Sequence, residues 1–172
     1  MRILGIDPGT ACGWAIRQHD GIINSGVWNL KPSRFEGPGM KAIKLRSLLC
    51  QVLSCVDLVA YEEVRRHLGV DAAHCYGGLV MTIQSVCEEA KVPYTAIPVG
   101  QIKRRATGSG TADKTKMIAA ANAFIPGGGI TDDNQADAIW IAVLAGETYE
   151  TSRNPERNQG VLSRAGGDAK LP

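Results

Sequence analysis

Three groups of acidic residues in this sequence have the chemistry and the placement to bind a hard divalent cation. Asp7 ends the apolar run at residues 2–6 and is followed by a Pro-Gly turn. A second short apolar run, at residues 57–61, ends at Glu62 and Glu63. A carboxylate at the end of a buried strand is costly to desolvate, so it usually has a cation or another partner. Asp7 is therefore the first candidate metal ligand, and the alternative that it only caps the turn stays open.

The third acidic group lies at the start of the last predicted helix. Asp132 and Asp133 are in its first turn, where the positive end of the helix favours acids. Asp137 lies beyond that turn, and the residues three and four positions later are apolar, which predicts that it faces the sheet. Asp133 and Asn134 share that face. Oxygen ligands from three separate elements suit Mg²⁺ or Mn²⁺, and two such ions roughly 4 Å apart promote phosphodiester hydrolysis.

A cluster of basic residues lies within residues 101–116. It holds five basic residues and one acid, Asp113, on a chain whose net charge is only +2. The Gly-Ser-Gly turn at residues 108–110 precedes a helix, and its backbone N–H groups suit a phosphate. The cluster predicts a local phosphate-binding surface, the alternative being an ordinary solvated face. The basic residues are Lys103, Arg104, Arg105, Lys114 and Lys116.

The elements that must position these residues follow from the apolar pattern, which predicts an α/β protein with a mixed five-stranded sheet flanked by helices. The predicted strands cover residues 2–7, 13–18, 21–28, 57–61 and 93–97. The predicted helices cover residues 40–56, 70–90, 111–124 and 131–148, with a short basic helix after the fifth strand. Residues 31–39 are too rich in proline and glycine for regular structure, so we expect an irregular linker there.

Length and composition fit one domain with a substantial core, since the chain has 172 residues of which 44% are hydrophobic. We expect this domain to cover residues 1–149 and a flexible tail to cover residues 150–172, which lack apolar periodicity. Five scattered cysteines without a Cys-x-x-Cys pair argue against disulfides and a zinc ribbon. No apolar run is long enough to span a bilayer, so we expect a cytoplasmic protein with no membrane partner.

These motifs, in this order and spacing, resemble the RuvC family of Holliday junction resolvases, which are nucleases of the ribonuclease H-like fold. The matching segments fall at residues 5–10, 60–64, 102–114 and 136–138, and the resemblance covers about residues 1–147. It implies a ribonuclease H-like mixed five-stranded sheet flanked by helices. It also implies Mg²⁺-dependent cleavage of four-way junctions or other branched DNA by a homodimer, in which each subunit cuts one strand.

The resemblance also implies roles for single residues. Asp7, Glu62 and Asp137 correspond to the metal-binding acids of the family, with Glu62 matching the motif in place of Glu63. Lys114 corresponds to an active-site lysine that stabilises phosphate charge. Lys103 corresponds to a second phosphate contact.

The chain departs from the family pattern at two positions. Asn134 stands where many members have Asp, so the fourth metal ligand is either Asn134, through its amide oxygen, or Asp133. Arg65, followed by Arg66, stands where the family has an aromatic residue that stacks on DNA. An arginine can stack on bases and also bind phosphate. Compact chains of this kind resemble bacteriophage or prophage resolvases, which places the expected protein in a bacterial or phage-infected cell.

Two other functions stay open from the sequence. ATP-binding proteins of the actin and sugar-kinase superfamily have phosphate loops that also read Gly-Ile-Asp-x-Gly-Thr, but they use two such domains around the nucleotide. A non-catalytic DNA-binding module of the same fold would keep the scaffold and lack the cleavage activity.

Overall fold

The computed structural model describes residues 1–65 and 69–153. Within them a five-stranded mixed sheet has helices on both faces, which confirms the predicted fold class. The strands are β1 (Ile3–Asp7), β2 (Ala11–Arg17), β3 (Ile23–Asn29), β4 (Leu58–Glu63) and β5 (Tyr94–Pro98). The helices are α1 (Met40–Val52), α2 (Val70–Ala90), α3 (Val99–Thr107), α4 (Lys114–Phe124) and α5 (Asp133–Arg153).

The sheet has the strand order β3-β2-β1-β4-β5, with β1 at its centre. The first three strands form an antiparallel meander, as the short turns between them require. Strand β4 runs parallel to β1, and β5 runs parallel to β4. Parallel neighbours need crossover connections, and helices α1 and α2 lie in those connections. The carboxyl ends of β1 and β4 therefore lie side by side at one edge of the sheet.

Each face of the sheet has its own hydrophobic core, because successive side chains of a strand point to opposite faces. Ile3 on β1 and Ala60 on β4 pack with α3, α4 and α5. Leu4 and Ile6 on β1 pack with α1 and α2 on the other face. Helix α5 carries the most completely buried apolar run, because its residues from Ala136 onward lie directly on the sheet.

Several element boundaries differ from the predicted ones. Helix α1 ends at Val52 and a short 3₁₀ turn follows it. Helix α4 begins at Lys114 because the Asp113 carboxylate accepts a hydrogen bond from the Lys116 backbone N–H at 2.9 Å and caps the helix. Helix α5 continues to Arg153, past the predicted domain boundary at residue 149. The rest of the predicted tail, residues 154–172, lies outside the described residues.

All five cysteines are free thiols, as the absence of a pairing pattern predicted. Among residues 1–65 and 69–153, none of the helices has both the length and the apolar content needed to cross a bilayer.

Candidate active site

Two acidic residues meet at the edge of the sheet where β1 and β4 end. The register pairs Ile6 with Tyr61, and the next residues along the two parallel strands are Asp7 and Glu62. The carboxyl groups of Asp7 and Glu62 therefore lie close together, and each influences the pKa of the other.

Strand alternation assigns different faces to the two glutamates at the end of β4. Leu58 and Ala60 belong to the core under α5, whereas Val59 and Tyr61 belong to the core under α1 and α2. Glu62 continues the first series and points toward α5, and Glu63 lies on the opposite face. Asp7 follows Ile3 and Gly5 on the α5 face in the same way. The pleat therefore brings Glu62, and not Glu63, to Asp7.

Helix α5 supplies the third acid because two glycines let its backbone lie directly on the sheet. A Cβ atom at Gly5 would overlap the Ala138 carbonyl oxygen, and one at Gly13 would overlap the Asn134 carbonyl oxygen. Only glycine leaves room for this close approach. The contact is made on both sides of Asp137, whose carboxylate therefore faces the pair at the strand ends.

The three acids influence one another electrostatically. Burial raises the pKa of Asp137 to about 7, and the charge of Glu62 adds to the rise. Burial also raises the pKa of Asp7 well above its ordinary value, with further contributions from Glu62 and Asp137. The Asp137 Oδ1 atom is buried and has no hydrogen-bond partner among the described residues. Desolvated carboxylates with an unpartnered oxygen are the donor set that a hard divalent cation prefers.

The acidic side chains lie near one another but are not arranged as a complete metal coordination shell. Among the described residues, no three His, Cys, Asp or Glu side chains have their ligand atoms arranged around one point. Carboxylates repel one another when no cation lies between them, which opposes convergence of their oxygens on one point. Binding an ion at this site therefore requires rotation of these side chains toward a common point.

The two candidates for a fourth ligand have different surroundings. Asp133 forms an ion pair with Lys114, and its charge contributes to the raised pKa values of Asp7 and Asp137, after the larger effects of burial and Glu62. The Asn134 amide group instead donates a hydrogen bond at 3.1 Å to Asp132, whose carboxylate caps α5. The structure therefore brings Asp133 to the acidic cluster and ties Asn134 to the helix cap.

Two lysines of the predicted basic cluster face the acids. Lys114 begins α4, and its ammonium group contacts Asp133 while its side chain stays 80% exposed. The hydrogen bond with Asp133 raises the pKa of Lys114. Burial raises the pKa of Glu62, and the nearby Lys103 ammonium opposes that rise. Both lysines therefore lie beside the carboxylates, and Lys114 is the more exposed of the two.

The other basic residues of α3 and α4 lie in different environments. The Arg105 guanidinium donates two hydrogen bonds to Glu147, at 2.7 and 2.5 Å, and lies over the Trp140 ring. This contact attaches α3 to α5, so Arg105 already has a role in packing. Arg104 is exposed, and Lys116 is exposed with its ammonium group 3.8 Å from Asp113.

The arginines predicted after β4 are only partly within the described residues. Arg65 is 75% exposed and donates a hydrogen bond to Glu63 at 3.2 Å. Glu63 is thus held away from the Asp7 and Glu62 pair. Arg66 lies outside the described residues.

Sequence reasoning missed Tyr76, a residue of α2 that holds the end of β4 in place. Its hydroxyl donates a hydrogen bond to the Glu62 carbonyl oxygen at 2.8 Å and accepts one from the Val64 N–H at 3.0 Å. These bonds fix the backbone on both sides of Glu63, where the sheet pairing ends. No local pattern indicates this role, because Tyr76 lies fourteen residues after Glu62 in the sequence.

Comparisons with known proteins were made for both the sequence and the fold. No protein-family model matches the chain. The crossover junction endodeoxyribonuclease RuvC of Parasynechococcus marenigrum is 29% identical over 157 residues, covering 83% of this chain and 96% of the relative. The RuvC of Caldicellulosiruptor saccharolyticus is 28% identical over 155 residues, covering 83% of this chain and 90% of the relative.

Solved structures have the same arrangement of strands and helices. A Thermus thermophilus RuvC in complex with a Holliday junction substrate has a TM-score of 0.68 and 24% identity, covering 83% of this chain and 90% of its own. The yeast mitochondrial Holliday junction resolvase Ydc2 has a TM-score of 0.59 and 16% identity, covering 82% of this chain and 75% of its own. At these identities the likeness shows a shared fold.

Proposed function

We propose, from its similarity to RuvC proteins, that this chain is a metal-dependent endonuclease that cuts four-way junctions and other branched DNA. The observation that carries the proposal is the meeting of Asp7, Glu62 and Asp137 from three separate elements. The unpartnered Oδ1 atom of Asp137 supports a cation at this point. The DNA substrate is proposed because the similar proteins include a crossover junction endodeoxyribonuclease and a RuvC in complex with a Holliday junction substrate.

We assign the ligand roles to the acids that share the site. Asp7, Glu62 and Asp137 would hold Mg²⁺ or Mn²⁺, two ions per site, and Asp133 would complete the ligand set in preference to Asn134. When bound, such ions promote attack by water on a phosphodiester and stabilise the charge that develops on the phosphate. Metal binding would favour the ionised form of Asp7, whose pKa burial raises, because a ligating carboxylate is ionised.

The lysines act on the substrate in this proposal. The Lys114 ammonium group, next to Asp133, would offset negative charge on the phosphate as the oxygen–phosphorus bond breaks. Lys103, Arg104 and Lys116 would bind neighbouring phosphates. Arg65, exposed at the end of β4, would contact DNA near the strand to be cut, and Arg66 is proposed from the sequence alone.

Symmetric cleavage of a four-way junction needs two active sites, so we also propose a homodimer in which each subunit cuts one strand. The proposed setting is the cytoplasm of a bacterial or phage-infected cell.

The first test is cleavage of synthetic four-way, Y-shaped and linear DNA with and without Mg²⁺. We expect nicks in the branched substrates only when the metal is present. In Asp7→Asn, which removes a negative charge and keeps the side-chain shape, we expect cleavage to be lost and junction binding to be retained. Cleavage that survives in Asp7→Asn would contradict the assignment of the acids. Junction binding by a wild-type protein that never cleaves would instead favour a non-catalytic module.

A further inference from the structure

The segment between β3 and α1, predicted as an irregular linker, is a loop held in shape by its own side chains. The Glu36 carboxylate accepts hydrogen bonds from the Ser33 backbone N–H at 2.7 Å and from the Lys44 ammonium group at 3.2 Å. Lys44 also donates to the Lys31 carbonyl oxygen at 2.8 Å. The bonds from Ser33 and Lys44 lower the pKa of Glu36. The loop is therefore ordered before it meets any partner.

This loop presents an aromatic ring to solvent. Phe35 is 93% exposed, the largest exposure of any large hydrophobic residue in the described part of the chain. The Arg34 guanidinium carbon lies 5.7 Å from the centre of the Phe35 ring. Arg34 forms no ion pair among residues 1–65 and 69–153. The pair therefore offers a flat apolar face and an unneutralised positive charge side by side.

The loop leaves the sheet at the edge where the acids lie. Strand β3 ends opposite Ala11, and the Leu30 N–H donates a hydrogen bond to the Thr10 carbonyl oxygen at 2.9 Å. Thr10 follows Asp7 by three residues. The five residue-to-residue steps from Leu30 to Phe35 span at most about 17 Å. At about 3.4 Å of rise per nucleotide, that reach corresponds to roughly five nucleotides from the active-site edge.

A cleft lies beside the active-site turn. It is lined by Pro8, Gly9 and Thr10, by Val64 after β4, by Lys41 in the first turn of α1, and by the α2 residues Asp71, Ala72, Cys75 and Tyr76. The segment from Lys31 to Lys44 carries four basic residues and one acid, Glu36. This segment therefore has the net positive charge that a DNA backbone requires, and Lys41 is its member in the cleft.

We propose that the Arg34 and Phe35 loop binds bases at the branch point of the DNA substrate. Phe35 would stack on a base exposed where the strands exchange, with Arg34 against the same base or its phosphate. Lys41 would bind the backbone that leads into the active site. Bases in a linear duplex are already stacked on one another, so this contact would select branched DNA. The inference rests on the proposed function, because it names the part of the substrate that this surface recognises.

The test uses a four-way junction with 2-aminopurine at the branch point, at fixed salt and in EDTA so that the DNA stays intact. We expect the wild-type protein to change the 2-aminopurine fluorescence and Phe35→Ala to leave it as in free DNA. Loss of one stacked base should weaken junction binding at least about fivefold, and duplex binding should change by less than about twofold. Phe35→Trp should restore the fluorescence change and the affinity, because indole also stacks.

The matched control is Ile22→Ala. Ile22 is 61% exposed and lies in the turn between β2 and β3, at the opposite edge of the sheet from the acids. Its replacement should alter neither junction binding nor fluorescence. Equal effects of Phe35→Ala and Ile22→Ala would overturn the inference.

The result can be separated from that of the proposed function. If the wild-type protein cuts junctions and Phe35→Ala binds them normally, the loop inference fails and the nuclease proposal stands. If Phe35→Ala weakens binding but no variant cuts branched DNA in Mg²⁺, the nuclease proposal fails and the loop inference stands.

Discussion

Asp137 combines three properties that a carboxylate tolerates poorly without a cation. It is partly buried, it faces other carboxylates, and one of its oxygens lacks a hydrogen-bond partner among the described residues. The charges of Lys103 and Lys114 offset only part of the effect of burial and of Glu62 on Asp137. The site is therefore least stable when all three acids are ionised and no metal is bound.

We predict that the metal-free protein loses stability as the pH rises from about 5 to 8. The folded-state pKa of Asp137 is raised to about 7 from an ordinary value of 3.8. The folded state therefore binds this proton more tightly than the unfolded state does. The resulting stabilisation is complete below the unfolded pKa and is lost as the pH passes through 7, at a cost of about 1–3 kcal/mol. Thermal unfolding in EDTA at the two pH values measures the effect.

The variant Asp137→Asn is the control for this pH dependence, because it has the same shape and no titrating group. Its melting temperature should fall less between the two pH values. Mg²⁺ added at the higher pH should raise the melting temperature of the wild-type protein and not that of the variant. Identical pH profiles for the two proteins would show that Asp137 does not titrate as described.

Lys114 is positioned to act on the transition state more than on binding, because it contacts Asp133 within the acidic cluster. We predict that Lys114→Ala lowers the single-turnover cleavage rate of bound junction by roughly 100-fold, a size typical for loss of one charge-stabilising donor. The dissociation constant should change by less than about threefold. Rapid-quench cleavage and equilibrium binding in EDTA measure the two quantities.

Lys116 offers a matched control on the same helix, since it is exposed and is paired weakly with Asp113. Lys116→Ala should weaken binding slightly and leave the cleavage rate of bound DNA unchanged. If Lys114→Ala changed the affinity for DNA and not the cleavage rate of bound DNA, Lys114 would be an ordinary phosphate contact.

Helix α5 completes the acidic site by placing Asp137 beside the ends of β1 and β4. The α5 backbone contacts Gly5 and Gly13, and this contact sets the distance between Asp137 and the sheet. Side chains at these positions would lift the helix, because the atoms they meet are backbone oxygens that cannot rotate away. The position of the third acid therefore depends on residues that take no part in the chemistry.

We predict that Gly13→Ala destabilises the fold by roughly 2–3 kcal/mol, the usual cost of overpacking a close contact. The added Cβ atom would overlap the Asn134 carbonyl oxygen. Chemical denaturation measures the change, and the cleavage rate of the folded fraction should fall as well because Asp137 is displaced.

Gly77→Ala is the control, because Gly77 lies in α2 with no other atom within 4 Å of the new Cβ position. This substitution should be neutral or stabilising by up to about 1 kcal/mol, since alanine favours the helix. A similar loss of stability in both variants would show that the close approach of α5 is not the cause.

In the whole molecule, the proposed DNA contacts lie at one edge of the sheet. Acids lie at the centre of that edge, with α3 and α4 on one side and the loop before α1 on the other. One active site would cut one strand, so resolution of a four-way junction needs two copies of the chain.

We predict that the protein is a dimer, with twice the mass of one chain by sedimentation. This dimer should cut two strands of a junction. Mixing wild-type protein with an excess of Asp7→Asn should form mixed dimers that nick a cruciform plasmid in one strand only. The ratio of nicked to linear plasmid measures this, with unmixed wild-type protein as the reference. If the proportion of linear product stays constant as Asp7→Asn is added, the proposal that the protein acts as a dimer would be contradicted.

The sequence alone was enough to predict the element order, because each strand and helix carries its own apolar period. It also predicted Asp7 and Asp137 as candidates, since a charge within an apolar pattern is visible locally. The choice of Glu62 over Glu63 came only from the family resemblance, because Leu58 to Tyr61 are all apolar and do not reveal which face is which. Tyr76 and the loop at Phe35 were missed for a similar reason, as their contacts join distant parts of the chain.

The amino-acid pattern by itself therefore determined which elements form and which acids are available, because these depend on neighbours within a few residues. Only the tertiary structure decided the face of Glu62, the approach of α5 over Gly5 and Gly13, and the different surroundings of Asp133 and Asn134. Those outcomes depend on how strands pair and how closely a helix can lie on them. Both are settled by packing between segments far apart in the sequence.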